Sequence, residues 1–139
     1  MILDYTKIKE LEYSYYTDDF KNESFTIDIF DINEWNFSVL VKFNCIEKLN
    51  VPLLLIERLF QYVGYIIVNN HLKESDVFFK RVFIESSSWE CFKHIGPSRT
   101  HVVHGFFRVN KTNNKKSIFE FEASIERRVN YKANILCFF

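Results

Sequence analysis

The sequence predicts an α+β fold in which a curved antiparallel sheet encloses one long helix. The run from Val51 to His71, VPLLLIERLFQYVGYIIVNNH, is apolar almost all the way round. The segments on either side of it alternate apolar and polar residues with period two, the strand signature. An aromatic content of 18%, against three Gly and two Pro, favours strands and a thick core over disorder. A helix apolar on every face needs burial on every face. With strands before and after it in the chain, that burial is reached when the sheet curls around it.

Residues 1–23 mix charges with tyrosines and end in a polar cluster from Thr17 to Glu23, which reads as a short helix or an irregular lead-in. Phe25, Ile27 and Ile29 then share one strand face. After a break at Asp31–Glu34, Trp35, Phe37, Val39, Val41 and Phe43 share another, so the pair forms a hairpin. Asn44–Asn50 is a loop, and Pro52, tolerated in a first helical turn, places the helix start at Asn50 or Val51. Lys73–Asp76 ends the helix region. Val77–Phe92 is a strand bent at Ser86–Ser88, and Gly96-Pro97-Ser98 is a turn. Residues 99–110 form a strand and Thr112–Lys116 a hairpin loop. In 117–127, Ser117, Phe119, Phe121, Ala123 and Ile125 face one way and Glu120, Glu122, Ser124 and Glu126 the other. A last strand, Tyr131–Phe139, presents Tyr131, Ala133, Ile135 and Cys137 on one face. The whole of 1–139 reads as a single domain with 1–23 as its lead-in.

Eighteen basic and eighteen acidic side chains cancel, which argues against a general nucleic-acid binder. Three cysteines far apart, without a CxxC pair, suggest neither a disulfide framework nor a zinc module and fit a cytoplasmic setting. No signal peptide is recognisable, and the polar groups of 51–71 argue against a membrane span.

Those polar groups, Glu57, Arg58 and Gln61, are the first candidates for chemistry. Glu57 and Gln61 are four apart and share a helix face. A buried carboxylate needs a partner, so the choice lies between a functional site and an ion pair with Arg58 or a strand lysine. His101 and His104, three apart on a strand, point to opposite faces and make no joint metal site without a bend. His71 reads as a cation favourable to the helix C-terminal dipole. Cys45 reads as a small buried thiol, or as a nucleophile if a His approaches it. Ser86–Ser88 lack a nucleophile-elbow context.

Val51–Gly64 resembles the helix signature of the hotdog 3-hydroxyacyl-[acyl-carrier-protein] dehydratases, in the thioesterase/dehydratase superfamily: a Met-Pro-Gly-Val-Leu run, a Glu, three residues and a Gln. Phe92–Ser98 is similar to that family's Phe-Arg-Arg-Pro-Val-x-Pro-Gly-Asp turn. Asn130-Tyr131-Lys132-Ala133 resembles the opening of its last strand. The resemblance implies a hotdog fold and places the acyl site at Glu57, Asn44 and Gln61, with Pro52, Leu53, Phe60 and Gly64 against the substrate. It implies neither cofactor nor metal. The position of the family's catalytic His falls on Asn44, which cannot serve as a base near neutral pH. Three functions follow from the resemblance: a dehydratase of fatty-acid or polyketide-type biosynthesis, degenerate or not; a thioesterase using Glu57 and Asn44; and a non-catalytic subunit of a hotdog pair. The implied partner is an acyl carrier protein or coenzyme A thioester. A basic rim of Arg58, Lys80, Arg81, Lys93 and Arg99, or the hairpin pair Lys115 and Lys116, would receive an acidic carrier. The first hairpin and the final strands are expected to leave an apolar sheet edge, and so to form a homodimer or hotdog heterodimer edge to edge.

Overall fold

The alternating segments close into one antiparallel seven-stranded sheet in the computed structural model, which describes residues 1–12, 24–45, 50–74, 81–97 and 99–139. The elements are β1 (Ile2–Leu3), α1 (Tyr5–Glu12), β2 (Ser24–Asn33), β3 (Asn36–Asn44), α2 (Leu53–Glu74), β4 (Arg81–Cys91), β5 (Thr100–Thr112), β6 (Lys116–Ile125) and β7 (Val129–Phe138). The sheet order is β1-β2-β3-β5-β6-β7-β4. A hotdog-type arrangement results, with the sheet wrapped on α2. Expected features at Thr17–Glu23, Ile46–Glu47, Ser75–Lys80 and Ser98 lie outside the described residues.

Burial of α2 is graded along its length. Tyr62 to Asn70 is buried without a break, so this half of the helix is enclosed on all sides. Its first turn emerges from the sheet, with Leu53 48% and Leu54 67% exposed. The helix begins two residues later than the sequence indicates. Val51 N–H donates to the Ile95 carbonyl at 2.7 Å, a strand-like bond that holds it out of the helix. Pro52 is therefore the cap, its carbonyl accepting from Leu55 and Ile56 at 3.0 and 3.2 Å.

The lead-in is a packed part of the fold. Leu3, Ile8 and Leu11 join the core, and Asn69 Nδ2 of α2 donates to the Leu11 carbonyl at 3.0 Å. The β2–β3 hairpin forms with a bulge between Ile27 and Ile29, which reverses the expected facing. Phe30 and Ile32 are buried and Ile29 is 43% exposed. Trp35 lies in the turn and packs edge-on to Phe107 instead of continuing the β3 face. The alternation expected for β6 and β7 holds at every position named for it. His71 serves as an aromatic wedge among Trp35, Phe107 and Phe119, and burial lowers its pKa against the opposing charge of Glu74. That environment disfavours the cation read from its place near the helix end.

The expectation of a sheet edge at the final strands is overturned. β7 lies between β6 and β4, so the final strand is interior. The sheet's edge strands are β4 on one side and β1 on the other. β1 pairs only with Phe30 and Asp31 of β2.

Two glycines set close approaches. A Cβ at Gly105 would stand 1.9 Å from the Glu122 carbonyl oxygen, whereas one at Gly64 would meet Ile135 Cδ1 at 2.8 Å. Backbone cannot yield as a methyl terminus can. Gly105→Ala is expected to destabilise by about 3 kcal/mol. Gly64→Ala should be nearly neutral, because the contact cost is offset by roughly 1 kcal/mol of helix propensity. Urea midpoints of the two variants check the contrast.

Candidate functional site

Leu53, Glu57, Gln61 and Gly64 recur at helical spacing and form one stripe of α2, with Phe60 beside it. The stripe faces β7. Phe60 stacks on Tyr131 with ring centroids 4.9 Å apart, and Gly64 admits Ile135. Phe60 and Gly64 are fully buried, and Glu57 and Gln61 are half-buried. Among the described residues Glu57 makes no hydrogen bond or ion pair, so the structural pairing left open by the sequence is not formed there. Its charge acts on Tyr131.

Next to this stripe, the exposed start of α2 and the segment 92–97 enclose a largely apolar groove of about 390 Å³, in the lower range of small-molecule sites. Pro52, Leu53 and Ile56 form one wall and Phe92, His94 and Ile95 the other. The segment is tied down at both ends. Phe92 and Lys93 N–H donate to the Arg128 carbonyl at 2.7 and 3.3 Å, and Arg128 Nη1 donates to the His94 carbonyl at 3.2 Å. At the other end, the Gly96 carbonyl meets His101 Nε2 at 2.6 Å, while His101 Nδ1 meets Glu126 Oε1 at 2.6 Å. Arg99 grips the same carboxylate with two N–H groups, at 2.6 and 3.3 Å. Burial would raise the Glu126 pKa, but the bonds from Arg99 and His101 outweigh it and hold the carboxyl below its usual range.

The remaining candidates are placed as follows. Asn44 Nδ2 donates to Thr26 Oγ1 at 3.2 Å across the β2–β3 hairpin and makes no hydrogen bond to Glu57. His101 is buried and His104 exposed on opposite faces of β5, and no three His, Cys, Asp or Glu side chains among the described residues could hold a metal. Cys137 is buried and its thiol is pushed up to about 12 by desolvation, which makes it inert. Of the proposed basic rim, Lys93 lines the groove, Arg99 is committed to Glu126, and Arg81 lies over the Phe138 ring at 5.3 Å. Arg58 is half-buried and Lys80 lies outside the described residues. No described helix is long and apolar enough to cross a membrane.

Sequence reasoning missed the polar role open to Tyr131. Alternation in β7 put the ring on the inward face, but nothing in the pattern shows that its hydroxyl is buried without a hydrogen bond among the described residues.

No family model matches the chain, and no curated protein matches its sequence. Solved structures do. A homologue of HP0420 from Helicobacter felis aligns over 94% of this chain and 89% of its own, with 14% identity and a TM-score of 0.60. A thioesterase family protein from Silicibacter pomeroyi aligns over 95% and 96%, with 8% identity and a TM-score of 0.55. A hypothetical thioesterase from Streptococcus pneumoniae TIGR4, crystallised with coenzyme A, aligns over 82% and 85%, with 9% identity and a TM-score of 0.52. At these identities the likeness is one of fold.

Glu126→Gln should weaken the anchor of the groove wall by about 1.5–3 kcal/mol at pH 7, since charge-assisted bonds are lost. The folded-state pKa is depressed from 4.5, so this stabilisation is present above 4.5 and is lost as pH falls through the folded value. The gap between wild type and variant in urea midpoint should therefore close below pH 4.5.

Proposed function

We propose that the chain hydrolyses acyl thioesters with Glu57 as general base at the mouth of the groove. The observation that carries this reading is the carboxylate itself: half-buried in an otherwise apolar run of helix, next in sequence to Ile56 of the groove wall, with no bonded partner among the described residues. A carboxylate in an ion pair is poorly placed to accept a proton; this one has its oxygens available. Glu57 takes a proton from water, whose oxygen attacks the thioester carbonyl carbon. The carbon–sulfur bond then breaks, and the departing thiolate takes the proton back from Glu57, leaving a carboxylic acid and a thiol. Leu53, Ile56 and Phe92 receive the acyl chain, and Gln61, one turn along the stripe, shares the helix face of the carboxylate. The thioesterase of like fold crystallised with coenzyme A supports a pantetheine-type thiol carrier, coenzyme A or a carrier protein, with Lys93 at the groove to meet its phosphate.

One observation favours dehydration as a second reading. His94 borders the same groove, so an imidazole stands at the groove although the family's His position holds Asn44. Removing the proton alpha to a thioester needs such a base.

Thiol release from a panel of acyl-coenzyme A and acyl-pantetheine substrates tests the first reading. Glu57→Gln is expected to lower kcat about 10²-fold or more with an unchanged circular dichroism spectrum. An unaltered rate removes Glu57 from the mechanism. His94→Gln should leave hydrolysis within a few-fold of wild type; loss of 3-hydroxyacyl dehydration in that variant would favour the second reading. A wild type inert in both assays would favour a non-catalytic subunit of a hotdog pair.

Assembly belongs to the same proposal. β4 is an eleven-residue edge strand with Phe83 45% exposed on it, and an open edge of that length invites a second copy. A dimer by sedimentation that Phe83→Asp shifts to monomer is expected; a monomeric wild type at tens of micromolar contradicts it.

A further inference from the structure

Tyr131 is 1% exposed, and its hydroxyl has no hydrogen-bond partner among the described residues. Buried hydroxyls in native proteins are bonded in the great majority of cases, so this atom calls for a partner from outside the chain. Its surroundings say which kind. A bulge between Ile84 and Ser86 changes the parity of β4, so that Ser87 and Trp89 stand opposite Ala133 and Tyr131 on the inward face. Without that extra residue Ser87 would face outward. Ser87 remains exposed at the edge strand. Burial chiefly raises the phenol's pKa; Glu57 adds to the rise, and Ser87 opposes it from close by without meeting hydrogen-bond geometry. The phenol thus keeps its proton at neutral pH and is a donor.

We propose that Tyr131, assisted by Ser87, donates a hydrogen bond to the carbonyl oxygen of a bound acyl thioester and so places the carbonyl carbon beside Glu57. This rests on the thioester reading above. The neighbouring charge selects the ligand: an anionic oxygen is repelled by Glu57 and a neutral carbonyl oxygen is not. The thioester is accepted and the ionised acid product is released. The bond strengthens as negative charge develops on that oxygen during attack.

Calorimetric binding of two inert pantetheine analogues tests the assignment: a ketone in which methylene replaces the thioester sulfur, and a thioether that lacks the carbonyl. Wild type is expected to favour the ketone about tenfold, the size of one hydrogen bond to an otherwise unpaired buried group. Tyr131→Phe keeps the ring on Phe60 and should bind both alike, with a urea midpoint no lower than wild type because the unpaired hydroxyl is gone. Ser87→Ala, at an exposed position, should reduce the preference several-fold and provides the readout if Tyr131→Phe does not fold. A preference unchanged in Tyr131→Phe, or in Ser87→Ala where that variant alone is folded, overturns the role of Tyr131 and leaves the thioester reading standing. A wild type that binds neither analogue overturns both.

Discussion

Everything in this chain follows from having to bury an apolar helix on all sides. From Tyr62 to Asn70 the helix has no residue open to solvent, and one flat sheet cannot achieve that. The sheet must curve, α1 must close a remaining side through Leu11 and Asn69, and the close approaches at Gly64 and Gly105 must be kept. Aromatic contacts fill the enclosed volume, from Phe60 on Tyr131 to Phe37 stacked on Phe121 at 5.4 Å.

The same constraint bears on where Glu57 and Gln61 can stand. Where α2 emerges, its polar residues no longer oppose burial, and Glu57 and Gln61 can stand at the boundary between core and solvent. The 92–97 segment meets the helix there through Val51 and Ile95 and leaves a groove between them. The ties from Arg128, and from His101 with Glu126 and Arg99, hold that wall from both ends. The far end of α2 is sealed by His71, Trp35 and Phe107.

Much of this was legible in the sequence because it is local. Alternation in β6 and β7 and the apolar length of α2 depend on neighbours within one element, and each came out as read apart from shifts of two or three residues at the helix ends. The illegible parts are of two kinds. Strand order is a matter of long-range pairing: nothing in residues 81–91 says that they will lie beside 129–138 and take the sheet edge from the last strand. Bulges are single-residue insertions that reverse every face beyond them, exposing Ile29, burying Phe30 and turning Ser87 inward. At the site, Glu57 stood out as a charge in an apolar run. Tyr131 did not, because an inward tyrosine in a strand looks like ordinary core until its hydroxyl is traced.

The measurement that bears most directly on Glu57 as the group acting on acyl thioesters is a crystal structure with an acyl-pantetheine ketone bound. The account places the acyl chain between Leu53, Ile56 and Phe92, with the carbonyl carbon facing Glu57 and its oxygen within hydrogen-bond distance of Tyr131. An analogue seated elsewhere, such as the polar outer groove along Ser86, Glu122 and Asn134, with Glu57 turned into an ion pair, would contradict it.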